Sequence, residues 1–343
     1  MDNRNLSLDV IRALAIVFVV VNHSIEFIFP FGYNNRESFC TMPYTYQSFQ
    51  FIMFTLGRLG VPLFFMLTGF LLLSRNYDSK EKIVRFYKKN FIVLLAVWYF
   101  WIVLYNLFFL VMEQKPIVFR DIMSEFLLYK KVPLMHTWYM KEIIMIYAIL
   151  PLLSIAIKSF GHIRMIIIVI FLISLINKFN IGSWKVDFLS NRLIYTSYVL
   201  IGYYFTTKST KVYKKLNLSI IIIGFMILVI WQIHLYHIGK PQNVWYTNPI
   251  LFIISALLFP VLKGYDWKAK TKGVIELVSR FSFGVYLLHV PIMKLLLHYF
   301  PLLHEISIVN VLALFLLSFS ICIATISIIT KIPKVGKMIF YVK

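Results

Sequence analysis

Between residues 8 and 330 the sequence is a succession of long apolar runs, each of roughly the length a helix needs to cross a bilayer, joined by short polar connections. A hydrocarbon core about 30 Å thick takes around 20 apolar helical residues per crossing. Reading the runs against turn-forming residues predicts spans near 8–29, 49–73, 91–112, 141–157, 165–180, 193–207, 218–236, 245–262, 281–300 and 306–330. Composition agrees, because 60% of the 343 residues are hydrophobic and only 14% charged, against roughly 25% charged in a typical soluble domain. The expected architecture is an all-α polytopic bundle of about ten transmembrane helices forming one domain over 1–343. Ten crossings leave no room for a sizeable soluble domain.

The chain carries 35 Lys and Arg against 14 Asp and Glu, a formal charge of +21. In a soluble protein such a surplus points to nucleic acid. Here its distribution points elsewhere, since basic residues collect in the cytoplasmic loops of membrane proteins. With the N-terminus inside, the segments on the cytoplasmic side hold well over twice as many Lys and Arg as those outside. Both termini are therefore expected in the cytoplasm. The first run has no small-residue cleavage site after it and reads as a retained span. Cys40 and Cys322 suggest neither a disulfide framework nor a thiolate metal site. No internal repeat is evident, so the inverted-repeat signature of many secondary transporters is missing.

Several ionisable residues interrupt the apolar runs, where they are costly and commonly functional. In "LDVIRALAIVFVVVNHS" (8–24), Arg12 and His23 are eleven residues apart, close to three helical turns, and so share one face. A rise of about 1.5 Å per residue sets them roughly 16 Å apart along the axis. Arg12 is then near the inner surface, where a snorkelling arginine is the plainer reading, and His23 lies deep in the membrane. Asp9 and Glu26 stand three residues from Arg12 and His23, each on the same helix side as its basic neighbour. "GRLGVPLFFMLTGFLL" (57–72) buries Arg58 several turns inside its run, where it needs a partner such as Glu26 or Asp9, or a wet cavity. Gly57, Gly60 and Gly69 suit close helix packing, and Pro62 frees backbone groups.

Two later stretches add to the set. "HTWYMKEIIMIYAILP" (136–151) opens the fourth span from outside and places His136, Trp138, Tyr139, Lys141 and Glu142 at the outer interface. An aromatic belt accounts for Trp138 and Tyr139; Lys141 and Glu142 either pair with other buried charges or meet a substrate. "RFSFGVYLLHVPI" (280–292) sets Tyr286 and His289 near mid-membrane on one face, with a structurally satisfied histidine as the plainer reading of His289. No HExxH, paired CxxC, Walker A or GxGxxG pattern occurs, which leaves metalloprotease, zinc-ribbon, nucleotide-hydrolase and dinucleotide readings without motif support. No metal site is expected.

Taken together and in this order, the stretches resemble acyltransferase family 3, membrane proteins that include O-acetyltransferases of bacterial surface polysaccharides. The opening helix with its Arg-x10-His pattern, "GVPLFFMLTGFLL", "HTWYMKEIIMIYAILP", "YVLIGYYF" (198–205) and "SFGVYLLHVPI" carry the likeness over most of the chain. Thr68 stands where the family commonly has serine, and Asn90, ending "SKEKIVRFYKKNF" (79–91), where arginine is common. The resemblance implies transfer of an acetyl or other short acyl group from cytoplasmic acyl-CoA to a hydroxyl of an extracytoplasmic or lipid-linked cell-surface glycan, in the bacterial cytoplasmic membrane. Acetyl-CoA would be a co-substrate, with no permanently bound cofactor and no nucleic-acid partner. Arg12, Arg85, Lys88 and Lys89 would meet its phosphates. His23 would act as general base with Glu26 or Asp9 orienting the stripe, and Arg58 or Tyr286 would steady the oxyanion, Tyr286 and His289 corresponding to the family's late helix. His136, Trp138, Lys141 and Glu142 would face the acceptor. Direct transfer and an acyl-histidine intermediate both remain open, as does the oligomeric state. The rival reading from the buried ions alone is a transporter or exporter of a small polar or acyl-bearing solute, followed by a scaffold in envelope assembly.

Overall fold

The computed structural model describes residues 5–130, 132–178, 187–207, 214–267, 272–332 and 335–341, in which helices and their connections occur with no strand among them. The order is α1 (Leu6–Ile28), α2 (Arg36–Thr41), α3 (Tyr44–Arg58), α4 (Gly60–Thr68, continued by a π-helical turn to Leu73), α5 (Lys80–Phe86), α6 (Ile92–Glu113), α7 (Phe119–Phe126) and α8 (Trp138–Phe160). There follow α9 (Ile163–Lys178), α10 (Asp187–Thr207), α11 (Lys214–His237), α12 (Pro249–Lys263), α13 (Lys272–Tyr299), α14 (Ile308–Ile329) and α15 (Val335–Ile339). Each expected span has a helical counterpart, the last two residues of 165–180 lying outside the described residues. Among the described residues, seven segments are long and apolar enough to cross a membrane: 6–28, 44–73, 80–113, 138–160, 214–237, 272–299 and 308–329. The apolar stretch of α9 and the 15-residue α12 are shorter.

Local chemistry sets the ends and breaks of these helices. Asn5 caps α1 by accepting a hydrogen bond from the Leu8 N–H at 3.3 Å. Between α3 and α4 the helix is interrupted at Leu59. Pro62 lacks the N–H that would bond the carbonyl of residue 58, four positions back. Arg58 thus sits in the last turn of α3, at the break.

Two kinds of helix are distinguished by what they pack against. Of the apolar windows of 44–73 and α13, 72% is buried within the protein, whereas in α14 the share is 22%. α1 is the hub, packed on α3, α4, α12, α13 and α14. α6, α11 and α14 expose Val111, Ile223, Ile230, Leu316 and Ile328 to the outside, the surface a bilayer would cover.

Glycines let the inner helices approach at backbone distance. A Cβ at Gly57 would run into Asn22 of α1, one at Gly60 into the Ala15 carbonyl, and one at Gly69 into the Val199 carbonyl of α10. Gly202 of α10 faces the Met66 carbonyl in the same manner. Close approach of this kind is the means by which helices associate where the solvent is itself apolar. Gly202→Ala is expected to lower the melting temperature of the detergent-solubilised protein, because backbone cannot move aside as a side chain can. Gly273→Ala, where a Cβ meets nothing within 4 Å, is expected to leave it unchanged or raise it through helix propensity. Equal thermal curves for the two variants would contradict this account of the α4–α10 contact.

Candidate active site

The site is built around a carboxylate on α1. Glu26 accepts from His23 Nδ1 at 2.7 Å and, through its other oxygen, from Arg58 Nη2 at 2.8 Å. The Asn22 side-chain amide is a third partner. Residues 22, 23 and 26 share a helix side because they lie within one turn, and the Gly57 contact with Asn22 carries α3 close enough for Arg58 to reach them. Of the two partners the sequence allowed Arg58, the structure selects Glu26.

Arg58 is 5% exposed and boxed by rings. Its guanidinium carbon lies 4.3 Å from the Phe54 ring centre and 4.7 Å from that of Trp245, positions that favour a cation electrostatically. Nη1 donates to the Tyr246 hydroxyl at 3.2 Å. The Nε–H is buried without a partner. Tyr246 is itself held by the Tyr198 hydroxyl, which donates to its carbonyl at 2.9 Å, and the chain before it is held by Gln232, which accepts from the Val244 N–H at 2.8 Å.

Three imidazoles meet beside this ion pair. The rings of His23 and His289 lie 5.2 Å apart, His136 and His289 5.0 Å, and His23 and His136 6.5 Å. Their tautomers follow from their partners. A carboxylate and a backbone carbonyl only accept, so Nδ1 carries the hydrogen in His23, facing Glu26, and in His289, facing the Val285 carbonyl at 3.0 Å. Nε2 of His23 is not the atom that meets Glu26, and Nε2 of His289 is buried without a partner. His136 Nε2 lies 3.3 Å from the Tyr105 hydroxyl, which donates to the Leu287 carbonyl at 2.7 Å. That carbonyl is available because Pro291, four residues on, has no N–H to give it. Among the described residues, no group of three or more His, Cys, Asp or Glu is arranged to hold a metal ion.

Several expected residues stand elsewhere than their sequence context suggested. His136 is not at the outer interface but in the interior, 1% exposed, on a non-helical stretch whose Thr137 hydroxyl donates to the carbonyls of Val132 and Leu134. Its own carbonyl accepts from the Tyr286 hydroxyl at 2.8 Å. Trp138 packs on Tyr195, Trp245 and Tyr246 with ring centres 5.2–5.5 Å apart. Lys141 and Glu142 are half-buried at the start of α8 and line neither of the two cavities described next.

The larger cavity, about 500 Å³, opens at the end of the bundle where Asn5 and Tyr341 lie, and Arg12, Arg75, Arg280 and Asn90 line it. Arg12 Nη1 is 3.3 Å from the Ser279 hydroxyl, which donates to Asp9 at 2.5 Å; Asp9 and Arg12 are 3.7 Å apart. Arg75 donates to Asn90 at 3.5 Å. Arg85, Lys88 and Lys89 are exposed and do not line this cavity. A second void, about 20 Å³, is bounded by Asn22, His23, Arg58, His136 and Trp138. Asp9 thus belongs to the mouth with Arg12, and Glu26 to the interior with His23.

Asn22, Arg75, Tyr105, Trp245, Tyr246 and Arg280 complete the arrangement, and no sequence reading singled them out. Pro291, four residues beyond Leu287, was the signal for a hydroxyl such as that of Tyr105. The others depend on how helices pair, which periodicity does not report.

The family model described as an acyltransferase domain, that of acyltransferase family 3, matches residues 5–327. No curated protein and no solved structure matches the chain. A match over nearly the whole length, on a helical bundle with seven membrane-crossing candidates, places this chain in acyltransferase family 3 as a multi-pass membrane acyltransferase.

Proposed function

We propose that the protein is an O-acetyltransferase of the bacterial cytoplasmic membrane, with ten crossings and both termini inside, moving an acetyl group from cytoplasmic acetyl-CoA to a hydroxyl of a cell-surface or lipid-linked glycan. The observation that carries this reading is the His23–Glu26 dyad, whose histidine borders a small void within the bundle. An arginine-lined cavity lies to one side of it and a partly exposed aromatic cluster to the other.

The donor's phosphates fit the larger cavity, where Arg12, Arg75 and Arg280 supply planar donors suited to phosphate oxygens. Arg85, Lys88 and Lys89, exposed on α5 and the π-helical turn after it, steer the anion rather than hold it. The sugar approaches from the Trp138 and Trp245 side, Trp245 being 37% exposed, with Lys141 and Glu142 at the rim.

His23 Nε2 takes the proton from the attacking hydroxyl as its oxygen bonds to the thioester carbonyl carbon. Glu26 holds the imidazole in the required tautomer and balances the imidazolium that forms. Arg58, with its unpartnered Nε–H, is better placed than Tyr286 to stabilise the oxyanion, because the Tyr286 proton is committed to the His136 carbonyl. Collapse breaks the C–S bond, and the imidazolium returns its proton to the leaving thiolate. The products are an acetyl ester and free coenzyme A. This route is direct transfer and needs no acyl-enzyme.

Three outcomes are expected in membrane vesicles given radiolabelled acetyl-CoA and envelope polysaccharide. His23→Ala loses transfer by roughly 10²–10⁴-fold at matched protein levels. Glu26→Gln, which keeps the size and removes the charge, loses a comparable factor in kcat with little change in donor KM. Arg75→Ala instead raises donor KM by roughly tenfold or more, the loss of a charge-assisted hydrogen bond. Undiminished transfer in His23→Ala would remove the base from this mechanism. Uptake of label without stoichiometric release of free coenzyme A would favour a solute carrier.

A further inference from the structure

The two cavities share two walls. Tyr139 and Tyr286 line both the arginine-rich cavity of about 500 Å³ and the histidine-lined void of about 20 Å³. Their rings lie 5.4 Å apart at 66° to one another, so together they form a septum between the two spaces. The halves are held differently. Tyr286 is tied by its hydroxyl to the His136 carbonyl at 2.8 Å. The Tyr139 ring rests on Phe65 and Phe64, with centres 5.1 and 6.3 Å away.

Beyond the septum, space is scarce. The void has room for about one water-sized group, and its apolar boundary is Val19, Gly57 and Val61. Val61 is 7% exposed and Val19 4%, and Gly57 is closed off by Asn22. The two shared walls set this septum between a donor seated on the arginines and His23. A carbonyl with a methyl group makes the smallest demand there. Each further methylene has to be accommodated against the packed valines and rings.

We propose that Tyr139, leaning on the anchored Tyr286, is the acyl-size filter of this enzyme, admitting an acetyl thioester to His23 and turning away longer acyl chains. The inference rests on the acyl-transfer reading above and adds the residue that sets its donor class. A hydrophobic pocket discriminates by roughly 10- to 200-fold per methylene, so butyryl transfer should fall at least about 100-fold below acetyl transfer.

The test is a competition within one reaction. Membrane vesicles holding the full-length protein receive acetyl-CoA and butyryl-CoA together with envelope polysaccharide, and the two esters are released by mild alkali and counted. Their ratio does not depend on how much protein is active. Wild type and Tyr139→Phe, which keeps the ring, are expected to share a high acetyl preference. Tyr139→Leu and Tyr139→Ala are expected to reduce it at least tenfold, and Val61→Ala, on another wall of the void, to reduce it by a smaller factor. A preference unchanged within about twofold in the enlarged variants that still acetylate overturns the filter. So does equal use of both donors by wild type, and so does loss of both esters together in every enlarged variant, which would make the ring part of the chemistry or of the fold. Absence of both esters in wild type defeats the acyl-transfer reading itself, a result distinct from the others.

Discussion

A carboxylate inside a helical bundle has to be matched where it stands, since the effective cost of taking an ion out of water is several kcal/mol and removing one partner of a buried pair commonly costs about 3–5 kcal/mol. Glu26 is matched on both oxygens, by Arg58 and by His23. Those bonds require α1 and α3 to lie close together, and the Gly57 backbone against Asn22 supplies the approach. Helix contact and charge matching are therefore one constraint. Arg58 in turn fixes Tyr246 and sits against Trp245, so the aromatic cluster around Trp138 inherits its position from the same carboxylate.

Prolines distribute the rest of the polar work. In water a helix interrupted by proline is simply weaker; at membrane depth the freed carbonyl must find another donor. Pro291 leaves the Leu287 carbonyl open, the Tyr105 hydroxyl fills it, and the same hydroxyl meets His136. Pro62 separates α3 from α4 and leaves Arg58 in a terminal turn. Residues that look destructive by helix propensity are what draw α6, α13 and the 132–137 stretch around one point.

Whatever a single helix decides was legible in the sequence. The spacing of Asp9, Arg12, His23 and Glu26 follows from 3.6 residues per turn, and the His23–Glu26 and Asp9–Arg12 pairs are present. Near-complete apolar runs gave the helical class and the positions of the long spans. What lay beyond reach was register between helices. Periodicity gives the face of α13 that carries Tyr286 and His289, yet not that this face meets His23. The 132–137 stretch shows a second limit: polar and aromatic residues at the mouth of a span read as interface, although here the backbone turns inward and buries His136. Lys88 and Lys89 illustrate a third. A basic cluster is visible in any sequence, but which cations face a cavity depends on helix rotation, and the π-helical turn at Tyr87–Phe91 shifts that rotation just where the lysines lie, with Asn90 on the cavity and its lysine neighbours outside it.

The charge count at the site bears on why a histidine is used there. Glu26 and Arg58 balance one another, and the imidazole beside them carries charge only when it holds a second proton. In the proposed transfer, a proton taken by His23 from an alcohol would place a positive charge 2.7 Å from a carboxylate already fixed in place, while negative charge would develop on the acyl oxygen. Both charges would then be met by groups that need not move, which is the condition under which dipoles and ions in a dry interior act most strongly on a transition state. A lysine in place of His23 would bring a permanent charge into the pair, and a second carboxylate would leave Arg58 insufficient. Imidazole, which gains its charge only with a second proton, suits an interior whose ions are already matched.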